Sequence, residues 1–221
     1  DKYLRADGLT YRFVPILSNT ETPVNTENAK EVMMKKFAFG NAENHGVYFD
    51  EENRRHLLGI RQAYAEAASN LAAQGKNEDA KALLQKVDKG IPDSTVPYGM
   101  VSRGNQHDYL SILIAEAAYK SGDFELGDKI VKKVRKDIEE QISYYAYLGN
   151  MSSNELANAI QEILDNKGDN LNNRQKGVFM EMRNAFGFRE YLNNIERTYK
   201  SLPQNSESPT LIKNSPDSNV K

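Results

Sequence analysis

Cysteine and tryptophan are absent from the 221 residues, which excludes disulfide bonds, thiolate metal sites and cysteine nucleophiles. That absence fits the cytosol and an oxidising compartment equally. No apolar run exceeds the five residues from Tyr144 to Leu148, against the roughly 20 needed to cross a bilayer, so no membrane span is expected within the chain. The formal charge is −2 with no extended run of Lys or Arg. This speaks against nucleic acid as a partner, because phosphate binders concentrate basic surface. Gly-x-Gly-x-x-Gly, P-loop and Gly-x-Ser-x-Gly patterns are missing, so nucleotide cradling and serine hydrolysis lack their motifs and no cofactor is expected. The opening Asp1-Lys-Tyr-Leu-Arg5 has neither an initiator Met nor an export signal, and is read as part of a mature or excised portion of something longer.

What is present divides into four stretches. Residues 1–49 hold Leu9-Thr-Tyr-Arg-Phe-Val-Pro-Ile16, whose β-branched and aromatic content with a late proline predicts an extended segment. A Thr, Asn and Glu loop from Asn19 to Asn28, a short helix from Ala29 to Phe37 and a turn over Gly40 to Gly46 complete that stretch. From Asp50 the pattern turns helical, with Asp50 as N-cap and Glu51 and Glu52 where the helix dipole favours negative charge. One helix runs to about Gln74, is broken by Gly75, and is followed by a second from Glu78 to Lys89 that Gly90-Ile-Pro92 ends by C-cap chemistry.

Within residues 50–148, Tyr64, Ala67, Ala68, Leu71, Ala80, Leu84 and Pro92 reproduce the tetratricopeptide spacing, with small residues at close helix crossings. A second unit places Ile114, Ala115, Ala118, Gly122, Gly127, Val131 and Val134 equivalently, although Ser111 replaces the usual large aromatic. Glu139 stands where a terminating proline belongs, so that helix is expected to continue from Phe124 to Leu148. Gly75 and Gly122 lie 47 residues apart, 13 more than the 34-residue period, and the excess falls in Pro92 to His107, a loop that is either ordered or flexible. Residues 149–202 are read as capping helices. The first is opened by the capping box Ser152-Ser-Asn-Glu155 and striped by Leu156, Ala159, Ile160, Ile163 and Leu164, and the last is interrupted near Gly187. Residues 203–221, rich in Ser, Asn and Pro, are expected to be a disordered tail. The fold class is therefore mostly α: tetratricopeptide-like hairpins behind a short extended N-terminal segment.

A resemblance rests on Tyr3-Leu-Arg-Ala-Asp-Gly-Leu-Thr-Tyr-Arg-Phe-Val-Pro15, on Met34 with Lys36-Phe-Ala-Phe-Gly-Asn41, on Val47-Tyr-Phe-Asp50 with Arg54 and Arg55, and on the hairpins that follow. Over residues 3–148 the chain resembles the soluble C-terminal region of a bacterial family of multi-spanning membrane proteins of unknown function, themselves similar to protein O-mannosyltransferases. The resemblance implies a parent that is a membrane glycosyltransferase using a lipid-linked sugar, with its acidic catalytic residues in the membrane part and this region on the periplasmic face. None of those catalytic residues lies in this chain, so the chain itself is read as a non-catalytic accessory domain.

Individual candidates weigh toward structural roles. His45, His56 and His107 lack the partners of a zinc or acid–base site, and Glu51-Glu52 and Glu139-Glu140 fit solvated helix faces. Arg54 and Arg55 are read as salt-bridging a helix start. Tyr144-Tyr-Ala-Tyr147 is read as packing before stacking on a sugar or peptide. The best candidate binding surface is the concave side of the hairpins, formed in register by Gln62, Ser69 and Ala72, then Tyr109, Ile112, Glu116, Tyr119 and Lys120. Its expected occupant is a protein or peptide, either an acceptor or the membrane portion of the same polypeptide. The other reading is a free-standing adaptor for extended peptides.

Overall fold

A computed structural model describes residues 3–15, 24–44, 46–152, 155, 158, 161 and 172–201. His45, the apolar stripe from Leu156 to Leu164 and the expected tail lie outside the described residues. The regular structure of the described residues includes six α-helices, a 3-10 helix over Arg103–Asn105 and one two-stranded antiparallel sheet, and Glu155, Asn158 and Gln161 are also helical.

The extended segment is a hairpin of β1 (Leu4–Asp7) and β2 (Thr10–Phe13), in the register Leu4↔Phe13 to Asp7↔Thr10. A two-residue connection needs positive φ, which Gly8 supplies at +77°. Val24 bridges Ala6 on the far side of β1, and the Asn25 N–H donates to the Ala6 carbonyl at 2.9 Å. Helix α1 (Thr26–Lys35) begins three residues earlier than its expected start at Ala29. Thr26 donates to Gln74 Oε1 at 3.2 Å, which ties the first turn to the end of the next helix. Lys86 ends α1 by donating to the carbonyls of Met33 (2.6 Å), Met34 (2.8 Å) and Phe37 (3.2 Å), a cation at a helix C-terminus.

Helices α2 (Glu51–Ala73) and α3 (Asn77–Gly90) turn back on one another through Gly75 at φ +76°, and α4 (Gln106–Ser121) and α5 (Phe124–Leu148) through Gly122 at φ +81°. Asp50 caps α2 by accepting from the Asn53 N–H at 2.8 Å, and Asp123 caps α5 through the Leu126 N–H at 3.2 Å. Ala65, Ala67, Ala68 and Ala72 on α2 and Ala115, Ala117 and Ala118 on α4 are all buried, small enough to let these helices approach closely. Tyr64, Leu71, Leu84, Ile114, Val131 and Val134 fill the spaces between, so the large positions of the expected register are core positions. Helix α6 (Asn173–Lys200) lies against α5 and α4. It passes Gly187 without a break, because Met182, Ala185, Phe186, Leu192 and Ile195 hold one continuous buried stripe on both sides of it. No described helix is long and apolar enough to cross a membrane.

One expectation is corrected in its cause. Gly90 is the last residue of α3, not a left-handed cap, and a Cβ there would fall 2.0 Å from the Phe39 ring. The glycine is required by close packing. Gly90→Ala should therefore lower stability by about 1–3 kcal/mol, whereas Gly59→Ala on the open face of α2, where a Cβ meets nothing within 4 Å, should raise it by about 0.5–1 kcal/mol. Urea denaturation of the two variants checks the pair.

Candidate functional site

The expected concave surface is not a free groove. Ile112 is fully buried, and Tyr119 and Ala72 are buried as well. Helix α6 lies across the α4 residues that were to line it. The Tyr119 ring stacks on Tyr199, with centroids 5.9 Å apart and planes at 11°, while its hydroxyl donates to Asp128 at 2.5 Å. Glu116 accepts from the hydroxyls of Tyr191 (3.0 Å) and Tyr199 (3.5 Å) and pairs with Lys120 at 2.9 Å. Burial, then the Glu116 carboxylate, push the phenols of Tyr191 and Tyr199 up to about 12. Tyr109 packs on Phe188 at 6.2 Å. On α2, Ser69 is half-buried, and Gln62 donates to Glu66 at 2.9 Å beneath the β-hairpin, where it lines a cleft with Ala6, Leu9 and Tyr11. The physical reason is the long apolar stripe of α6, which must cover some surface, and α4 offers the matching acceptors.

The densest polar chemistry lies elsewhere, beneath the segment 92–102, which is an ordered strap. Arg61 of α2 has no exposed surface. Its Nη2 donates to the carbonyls of Ile91 (2.6 Å) and Val96 (2.8 Å), and its guanidinium sits 4.2 Å over the Tyr98 ring. Its Nε and Nη1 have no hydrogen-bond partner among the described residues. Burial pulls the Arg61 pKa down, with Tyr98, Asp88 and Asp93 acting against this. The strap is tied at further points. Asp93 accepts from the Tyr98 N–H at 2.9 Å and pairs with Lys133 at 3.0 Å, and the Tyr98 hydroxyl donates to Asp88 at 2.8 Å. Thr95 donates to the Ala42 carbonyl at 2.8 Å, and His107 Nε2 meets the Pro97 carbonyl at 2.5 Å. A Cβ on Gly99 would fall 2.4 Å from the Lys133 carbonyl, so the strap backbone touches α5 directly.

At the end of the strap is a buried acid pair. Asp108, with no exposed surface, accepts from the Met100 N–H at 3.2 Å and from Gln141 Nε2 at 2.9 Å. Gln141 also donates to Asp137 at 2.6 Å. Burial, and then the neighbouring Asp137 carboxylate, push the Asp108 carboxyl up to about 8, so it holds a proton at neutral pH. His107, one residue earlier, is pushed the opposite way by burial. The two neighbours thus serve different partners and do not form a dyad.

The remaining candidates resolve simply. His56 is exposed and lies 3.2 Å from Glu52, and Arg55 pairs with the same Glu52 at 2.6 Å. Arg54 is half-buried, its Nε turned inward. Tyr145 packs partly against the core, as expected, but Tyr147 is 77% exposed and Tyr144 is also exposed. Ser152 and Glu155 form the expected reciprocal cap, with Ser152 N–H donating at 2.8 Å and Glu155 N–H at 3.3 Å. No group of three or more metal-ligating side chains occurs among the described residues. No protein-family model, curated protein or solved structure matches the chain.

Sequence inspection passes over Arg61 because an arginine on an amphipathic helix reads as solvated. Its only signal is its position inside the apolar stripe of Leu57, Leu58, Tyr64 and Ala65. Replacing Arg61 with Ala should cost about 2–4 kcal/mol, from lost charged hydrogen bonds and a cavity. Lys should not restore it, since an ammonium on a flexible stem has no planar face for Tyr98. Thermal unfolding of both variants checks this.

Proposed function

We propose that the chain is a non-catalytic protein-interaction domain of tetratricopeptide-like hairpins, the accessory arm of a membrane glycosyltransferase-like protein on the periplasmic face of a bacterial membrane. The partner is a protein segment, from an acceptor or from the membrane portion of the same polypeptide. The observation that carries this reading is the exposed β-hairpin edge on a rigid helical body. Every residue of β2 is exposed, with Tyr11 at 62% and Phe13 at 71%, and among the described residues β2 pairs on one side only.

The Val14 N–H donates to the Tyr3 carbonyl, and the alternation of an antiparallel ladder then turns the N–H and C=O of Tyr11 and Phe13 outward. An extended segment can add to that edge through main-chain hydrogen bonds, with the two rings as anchors. Two further features support an interaction role over catalysis. The face of α4 is already occupied by α6, and the buried Arg61 and Asp108 have no surface through which a substrate would reach them.

The test uses the full-length parent carrying Tyr11→Ser with Phe13→Pro, which removes both rings and one outward N–H. Glycosylation of its acceptors should fall by about tenfold or more, as expected for the loss of two anchors, with membrane assembly unchanged. Normal glycosylation would contradict the reading, as would normal glycosylation by a parent lacking residues 50–148.

A further inference from the structure

We infer that the Asp108 and Asp137 carboxyls, bridged by Gln141, form a proton-held latch that keeps the strap 92–102 closed over Arg61. The latch stands on geometry. Asp108 of α4 accepts from a strap N–H, that of Met100, and it does so while buried beside a second carboxyl from α5. An ionised Asp108 would be sealed from water beside the half-buried carboxyl of Asp137, so the proton on Asp108 is the condition for closure. Losing it leaves a buried carboxylate under the strap, and opening is the way it regains solvent.

The surroundings fix the direction of the response. Asp108 faces Asp137 of α5 and the neutral Gln141, while His107 faces Arg61 and Arg54 from α2 and the same Asp137; Asp93 and Lys133 pair with one another beside Arg61. From α6, Arg189 is engaged by Glu139 of α5 at 3.9 Å. Asp108 is raised when closed, so opening releases a proton at any pH between the ordinary aspartate value and about 8, and opening grows as pH rises through that window. His107 is lowered when closed, so below its ordinary value of 6.5 opening takes up a proton and grows as pH falls. The two slopes oppose one another below pH 6.5. Only the Asp108 slope survives between pH 6.5 and about 8.

Native-state hydrogen exchange on the whole chain tests this at the Met100 and Tyr98 amides, corrected for intrinsic exchange, with the Leu83 amide of α3 as the report on global unfolding. Strap protection should be nearly flat below pH 6.5 and fall by about tenfold per pH unit from 6.5 to 8, the slope of one released proton. Leu83 should not follow. Asp108→Asn should abolish the fall above pH 6.5 and leave only the histidine slope below it. Asp137→Asn, which removes the lesser cause, should bring the upper end of the fall below pH 8 and leave the fall itself in place, and serves if the first variant fails to fold. Flat strap protection in the unmodified chain from pH 6.5 to 8, a fall that persists in Asp108→Asn, an upper end unmoved in Asp137→Asn, or equal loss at Leu83 would each overturn the latch.

Discussion

A guanidinium with no exposed surface and no carboxylate in contact organises the middle of this molecule. Leaving water is expensive for any ion, and Arg61 offsets that cost with the Ile91 carbonyl at the end of α3, the Val96 carbonyl of the strap and the face of Tyr98. Those acceptors exist only if the chain between α3 and α4 doubles back over α2. The segment 92–102 is therefore not slack. It brings the Val96 carbonyl and the Tyr98 ring to Arg61, and Asp93, Thr95 and His107 fasten it at its other points. The acid pair at the far end closes the same strap from the opposite sign of charge.

Covering the face of α4 is a second consequence of burying apolar surface wherever it is offered. Helix α6 carries a stripe from Met182 to Ile195, and its tyrosines satisfy Glu116 and stack on Tyr119 while doing so. That face of α4 is thus covered from within the chain. Exposed aromatic rings remain on the N-terminal hairpin, at Tyr48 before α2, at Tyr109 on the first turn of α4 and at the end of α5.

Features governed by short-range rules were legible in the chain. Asp50, Gly75, Gly122 and the Ser152–Glu155 cap act within one turn of helix, and each does what its residue type favours. The strand Thr10–Phe13 follows from β-branched and aromatic content beside a glycine turn. The continuation of α5 to Leu148 followed from the missing proline. Illegible features depend on contacts between distant segments. Gly90 reads as a cap until Phe39 arrives 51 residues away in sequence. Ile112 reads as a groove position until the helices pack and bury it, and Tyr119 until Tyr199 of α6 stacks on it. His107 and Asp108 are adjacent in sequence, but burial drives their proton affinities in opposite directions and their side chains bond to different partners.

The strap held by Arg61 stays closed while Asp108, beside Asp137, keeps its proton. The most direct measurement is a titration of the aspartate side-chain carboxyl carbons by ¹³C NMR on the intact chain. One aspartate resonance titrating near pH 8, and missing in Asp108→Asn, is the predicted result. Titration of every aspartate in the ordinary carboxylate range would contradict it.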